Sequence, residues 1–143
     1  MTTTSRHTSA EQLFRRFLDY VLSDPGESVD EYLWALDVVI EMPFAPGGMR
    51  RIEGRGRLLA LAEEGRRALP VSFEEVRNVV VHQSTDPDVV IGEYELAGTL
   101  TTTGRQASAR FISVLTAGKG QIVHWREYQD THAMLTVLGP QSA

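Results

Sequence analysis

At 143 residues the chain is long enough to bury one sizeable core and too short for two, so a single domain is expected. It contains no cysteine, which excludes disulfides, thiolate nucleophiles and cysteine-based metal centres and leaves stability to packing. The net charge is −5 and Lys119 is the only lysine, so no field suited to a phosphate backbone exists and nucleic acid is not expected as a partner.

Residues 1–8 read as a polar, disordered arm without the apolar segment of a targeting signal, and no later run approaches the roughly 18 apolar residues of a membrane helix. A soluble, cytoplasmic protein with no membrane partner is expected. Ser9 with Gln12 forms a capping box for a helix carrying Leu13, Phe14, Phe17, Leu18, Val21 and Leu22, which Asp24-Pro25-Gly26 stops. A second box, Ser28 with Glu31, predicts a short helix through Tyr32, Leu33 and Leu36, leading into a strand at Val38-Val39-Ile40 that ends at Pro43 and Pro46. The loop through Gly47, Gly48 and Met49 gives way to a helix near 55–67, with Leu58, Leu59, Leu61 and Ala62 on its buried side. Four β-rich segments follow, at 71–83, 89–102, 105–116 and 121–129, and the short turns between them predict an antiparallel meander. Asp130 then caps a short last helix that Gly139-Pro140 stops, leaving 140–143 as a tail and 9–139 as the domain. Helices gathered before a curved antiparallel sheet make an α+β fold in which they cover one sheet face and enclose a cone-shaped pocket.

The last strand raises the functional question. In Gly120-Gln121-Ile122-Val123-His124-Trp125-Arg126-Glu127-Tyr128-Gln129-Asp130, alternation groups Glu127 with Val123, Trp125 and Gln129 and turns His124, Arg126 and Tyr128 the other way. If the Trp125 face is the inner one, a carboxyl lies beside an indole in a sheltered place, where a charge is costly without a partner.

The order of elements, with Ile40-Glu41-Met42-Pro43-Phe44-Ala45-Pro46, then Ile52-Glu53-Gly54-Arg55, then Gly120-Gln121-Ile122 running into Arg126-Glu127-Tyr128, resembles the SnoaL-like members of the nuclear transport factor 2-like superfamily. The closing stretch is most similar to the phenazine biosynthesis A/B proteins. The resemblance implies a cone-shaped fold, usually dimeric, whose pocket hosts cyclases, isomerases, dehydratases and hydrolases of small, often apolar molecules, and equally non-catalytic binders. Ketosteroid isomerases, of similar layout, place a general-base Asp before the proline of the first strand and an oxyanion-donating Tyr on the first helix. The matching positions are Met42 and Phe17, neither of which can do that work. In the phenazine proteins the Glu of the Arg-Glu-aromatic motif lies in the pocket and is implicated in acid catalysis, a role the resemblance carries to Glu127. The His and Ser that those proteins bear on the third helix have no match in Leu58-Leu59-Ala60-Leu61-Ala62.

Glu127 is therefore the candidate catalytic group, with Phe17, Trp34, Met42, Phe44, Tyr94, Trp125 and Gln129 as candidate substrate contacts. Desolvation beside Trp125, Met42 and Phe17 would raise its pKa toward neutrality, where it can both give and take a proton. The competing reading pairs Glu127 with Arg110 or leaves it in solvent, and the aromatic residues serve equally well as core. Arg50, Arg51, Arg55 and Arg57 form either a solvated rim or a clamp for a substrate carboxylate at the pocket mouth. His7, His82, His124 and His132 show no metal-ligand spacing, and Glu93 and Glu95 share the outer phase of their strand, opposite Tyr94 and Leu96. Two functions follow. One is an acid–base enzyme acting on a small apolar or cyclic molecule without cofactor or metal; the other is a non-catalytic hydrophobic-ligand or accessory module. Strands apolar in both phases, such as Ile112 and Val114 against Phe111 and Leu115, predict a homodimer through the sheet.

Overall fold

The computed structural model describes residues 9–23 and 31–138. The expected arm at 1–8, the Asp24-Pro25-Gly26 stop, the Ser28 cap and the Gly139-Pro140 stop lie outside the described residues. The elements run α1 (Ala10–Leu22), a single 3-10 turn (Glu31–Leu33), β1 (Trp34–Met42), β2 (Arg50–Glu53), α2 (Arg55–Ala68), β3 (Val71–Gln83), β4 (Val89–Leu100), β5 (Gln106–Gly118), β6 (Gln121–Gln129) and α3 (Thr131–Leu138). They build one six-stranded sheet in the order β2-β1-β6-β5-β4-β3. Strands β3 to β6 form the expected antiparallel meander, whereas β1 lies parallel to β6 and antiparallel to β2. Three helices on a curved, unclosed sheet make the cone-shaped α+β fold that the sequence implied.

The chain differs from expectation in its second quarter. No helix reaches Leu36. The 3-10 turn closes at Leu33, and the strand starts at Trp34, because Trp34, Ala35, Val38 and Ile40 are buried on the sheet while Leu36 is 73% exposed. A short strand also stands where a loop leading into a helix was expected. In Arg50-Arg51-Ile52-Glu53 only Ile52 is apolar and buried, and the charged neighbours blunt this edge of the sheet against further pairing.

Local chemistry fixes the ends of α1 and α3. The Ser9 side chain accepts from the Gln12 amide while the Gln12 side chain accepts from the Ser9 amide, closing the box on both donors. Asp130 accepts from the Ala133 amide at 2.9 Å and so caps α3. Curvature arises in β3, whose pairing with β4 slips between Phe73 and Glu75 and again between Arg77 and Val80. The second slip carries Asn78 at a φ of 57°, and its side-chain amide donates to Glu95 at 2.7 Å, which holds the bulge in place.

Helix α1 lies in the concave face and supplies Leu13 and Phe14, neither of which has any exposed surface. The Phe14 ring stacks on Trp125 at 6.1 Å and meets Tyr94 edge-on at 5.6 Å. Gly92 on β4 allows this approach: a Cβ there would lie 2.2 Å from the Phe14 ring. The core and the walls of the cone are thus one continuous layer.

Candidate functional site

Strand β6 brings Trp125 and Glu127 to the concave face. Regular alternation would place Val123 with them, but a bulge intervenes, since Thr116 pairs with His124 while the next residue, Ala117, pairs with Ile122. Ile122 therefore takes the fully buried core position, and Val123 is only partly covered. Beyond the bulge, Trp125 is buried with 2% exposure and Glu127 opens into a cavity of about 230 Å³. Phe17 and Tyr20 of α1 form its roof, and Trp34, Ile40 and Met42 of β1 its floor, with Trp125 and Glu127 beside them. Arg50 and Ile52 of β2 and Leu58, Leu59, Leu61 and Ala62 of α2 complete the wall.

Glu127 has a specific partner beneath it. The Tyr94 hydroxyl donates to Glu127 Oε1 at 3.1 Å and lies 2.9 Å from the Ser113 Oγ, which is itself fully buried. Tyr94 has a single hydroxyl proton, so when it donates to Glu127 the Ser113 hydroxyl must donate to Tyr94. The result is a directed chain, Ser113 to Tyr94 to Glu127, running from the sheet interior to the cavity. Burial raises the Glu127 pKa above its ordinary 4.5, while hydrogen bonds from Tyr94 and Trp125 oppose the rise. Burial, and then the charge of Glu127, push the Tyr94 phenol well above its ordinary 10.0, so it stays a donor.

Of the eight residues singled out from sequence, the structure gathers Glu127, Phe17, Trp34, Met42 and Trp125 around one cavity. Phe17 and Trp125 approach to 4.2 Å between ring centroids, and Trp34 meets Trp125 at 5.9 Å. The other three lie elsewhere. Tyr94 is 2% exposed and sits under Glu127, so it orients the acid and does not line the cavity. Phe44 lies past the end of β1 in a turn, is 59% exposed and packs on Tyr128 at 5.4 Å, on the side away from Trp125. Gln129 sits at the end of β6 opposite Phe111, beyond the cavity rim. Ser113 was invisible in the sequence because nothing in a strand of alternating residues marks which hydroxyl lies under which ring.

The rival assignments also resolve. Arg110 stands opposite Glu95 on the other face of the sheet and does not meet Glu127. Glu95 is held by Arg77 at 3.1 Å and by Asn78, and hydrogen bonds from Ser108 and Arg77 keep its carboxyl below the usual range. Glu93 pairs with His82 at 2.5 Å. His124 bonds Glu41 on the outer face, and that bond, with smaller help from its charge and from Arg51, lowers the Glu41 pKa. Among the described residues no group of three or more His, Asp or Glu side chains is placed to hold a metal, and no helix is long and apolar enough to cross a membrane. A second apolar groove, between Phe73, Leu96, Phe111 and Met134, encloses only about 60 Å³ and contains no titratable group.

Comparison with known proteins places this geometry. Over 118 residues the chain is 30% identical to the uncharacterised protein YesE of Bacillus subtilis, covering 82% of this chain and 78% of that one. It is 34% identical over 102 residues to the PhzA/B-like protein PA3332 of Pseudomonas aeruginosa, covering 71% and 70% respectively. A crystal structure from Bacillus subtilis, described as that of a candidate isomerase, superposes with a TM-score of 0.79 at 27% identity, over 91% of this chain and 92% of that one. Residues 14–125 match the SnoaL-like domain, which is most of the chain. The protein belongs to the SnoaL-like domain family.

Proposed function

We propose that the protein is a cofactor-free acid–base enzyme that acts on a small apolar metabolite, with Glu127 as the group that moves the proton. The observation that carries this reading is a single desolvated carboxyl, held from below by Tyr94, at the edge of a cavity otherwise walled mainly by apolar side chains. A raised pKa lets the protonated acid give its proton to a substrate oxygen, and the resulting carboxylate then takes a proton from a neighbouring carbon. The Tyr94 hydroxyl stabilises the anion between the two steps. A proton moved in this way serves an isomerisation, a dehydration or a ring closure. Phe17, Trp34, Met42 and Trp125 would hold the apolar body of the substrate. The cavity is slightly smaller than the roughly 300–1,000 Å³ typical of drug-sized ligands, which suits a molecule of one or two rings.

A second reading, a non-catalytic binder of hydrophobic ligands, is favoured by one feature. The described cavity lining contains no histidine and no second carboxyl to share acid–base work with Glu127. The state of Glu127 separates the two. In a carbon-13 titration of the side-chain carboxyls, the Glu127 resonance is expected to shift at a higher pH than those of the exposed glutamates. An ordinary midpoint would leave the binding module as the better description.

The convex sheet face supports a homodimer. Val80, Glu93, Ile112 and Tyr128 form one row across four strands, and Val80 and Ile112 are 47% and 45% exposed. The guanidinium Nε of Arg126, whose side chain points to the same face, is buried with no partner among the described residues. With Glu93 between them already paired to His82, the exposed Val80 and Ile112 leave apolar area on this face that a second copy would cover. Light scattering at micromolar concentration is expected to give a mass near twice the 15.9 kDa of the chain, and a value near 15.9 kDa would overturn the dimer.

A further inference from the structure

We infer that Arg50 is the second polar subsite of the cavity and that its ligand is a small apolar monocarboxylate, whose carboxylate sits on Arg50 while its reacting atom lies against Glu127. This rests on reading the cavity as a small-molecule site and names the class of molecule it admits.

The four arginines around the start of α2 are not equivalent. In the β1–β2 pair Ile40 faces Ile52 and Met42 faces Arg50, and all four line the cavity. Glu41 faces Arg51 on the opposite side, where Arg51 bonds Glu41 at 3.2 Å and Glu53 at 2.8 Å. Arg55 donates to the Trp34 carbonyl at 3.3 Å and lies over the Tyr32 ring. Arg57 is exposed on α2, outside the cavity lining. Arg50 alone combines a cavity-facing position with the absence of an acidic or carbonyl partner among the described residues. A guanidinium fork at the mouth of an apolar cavity is matched by a planar carboxylate, which it can bind with two parallel hydrogen bonds.

Strand register sets the length of the ligand. Glu41 pairs with Arg126 across β1 and β6, so the next residues in phase are Met42 and Glu127, and Met42 pairs in turn with Arg50. Arg50 and Glu127 therefore stand on the same face two strand spacings apart, or about 10 Å between backbones. Both side chains line the cavity across that interval, which a carboxylate set about one ring away from the reacting atom would span. A neutral hydrocarbon would use the walls and leave Arg50 unmatched, and a dianion would put its second charge among Trp34, Met42 and Trp125.

The test uses benzoate and 1-naphthoate against their primary amides, which keep the shape and remove the charge. Each is titrated by ligand-observed NMR at fixed ionic strength into wild type, Arg50→Gln, Arg50→Lys and Arg57→Gln. For wild type the acids are expected to bind about tenfold or more tightly than the amides. That preference should vanish in Arg50→Gln, return in part in Arg50→Lys, and survive in Arg57→Gln, which lies outside the cavity lining. Arg50 is exposed on an edge strand, and a thermal melt of each variant checks that folding is intact. Acids that bind no better than amides, acids that do not bind, or a preference untouched by Arg50→Gln would each overturn the inference. None of these outcomes alters the Glu127 titration, so failure here is separable from failure of the acid–base reading.

Discussion

Glu127→Gln is expected to lower turnover of whatever substrate is found by roughly two to four orders of magnitude, the usual contribution of a positioned general acid or base, while making the fold more stable at neutral pH. The substitution keeps the shape of the side chain and removes its titration. A carboxyl raised in the folded state is protonated there over a range in which the unfolded chain has already ionised. Below the ordinary value of 4.5 both states hold the proton and no difference arises from it. Above 4.5 the wild type loses stability as pH rises, until the folded pKa is passed, and the Gln variant does not. Denaturant melts between about pH 4 and pH 8 should therefore show a stability gap that opens with pH and then levels off. Trp125 gives a second readout, because ionisation of Glu127 should change its emission across the same window, with Trp34 as a neighbouring background 5.9 Å away. A gap independent of pH, together with unchanged emission, would mark Glu127 as an ordinary solvated carboxylate.

Phe14→Ala is expected to cost about 3–5 kcal/mol, the range for removing a large buried ring from a core that relaxes only in part. The ring has no exposed surface and touches Tyr94 and Trp125 together, so its loss loosens both the support beneath Glu127 and the wall beside it. Gly92→Ala should destabilise for the opposite reason, by about 1–3 kcal/mol, because the new methyl would lie 2.2 Å from the Phe14 ring. The two effects are linked through one contact. In the double variant the methyl of residue 92 enters the space the ring has left, so the combined loss should be smaller than the sum of the single losses. Urea melts of the four proteins in a double-mutant cycle measure this, and strict additivity would show that Phe14 does not rest on Gly92.

Much of this architecture could be read from the chain because its signals are local. Capping at Ser9 and Asp130 and the turns between the last four strands each depend on a few adjacent residues, and all appear where expected. Counting by two along β6 grouped Glu127 with Trp125, and the resemblance to the phenazine proteins supplied the inward direction; the grouping holds because the bulge at Val123 falls before Trp125 and leaves the later phase intact. What the sequence concealed depends on partners distant in the chain. Strand β2 is visible only once Ile52 is set against Ile40, and Tyr94 reads as an ordinary apolar wall residue until β5 brings Ser113 beneath it. Phe44 is misleading for a related reason: β1 stops at Met42, so alternation has no meaning two residues later.

The short segment from Arg50 to Ala62 supplies nearly half of the residues around the cavity, yet it forms the outermost strand and the helix attached to it. Glu127 and the Tyr94 and Ser113 hydroxyls that support it, by contrast, belong to β4, β5 and β6 in the interior of the sheet. On the proposed reading, the reacting carboxyl and nearly half of the cavity wall are therefore encoded in separate stretches of chain. Exchanging residues 50–62 for the corresponding piece of a relative would be a route to new substrates that leaves the reacting carboxyl untouched, which makes this segment the natural cassette for both divergence and redesign.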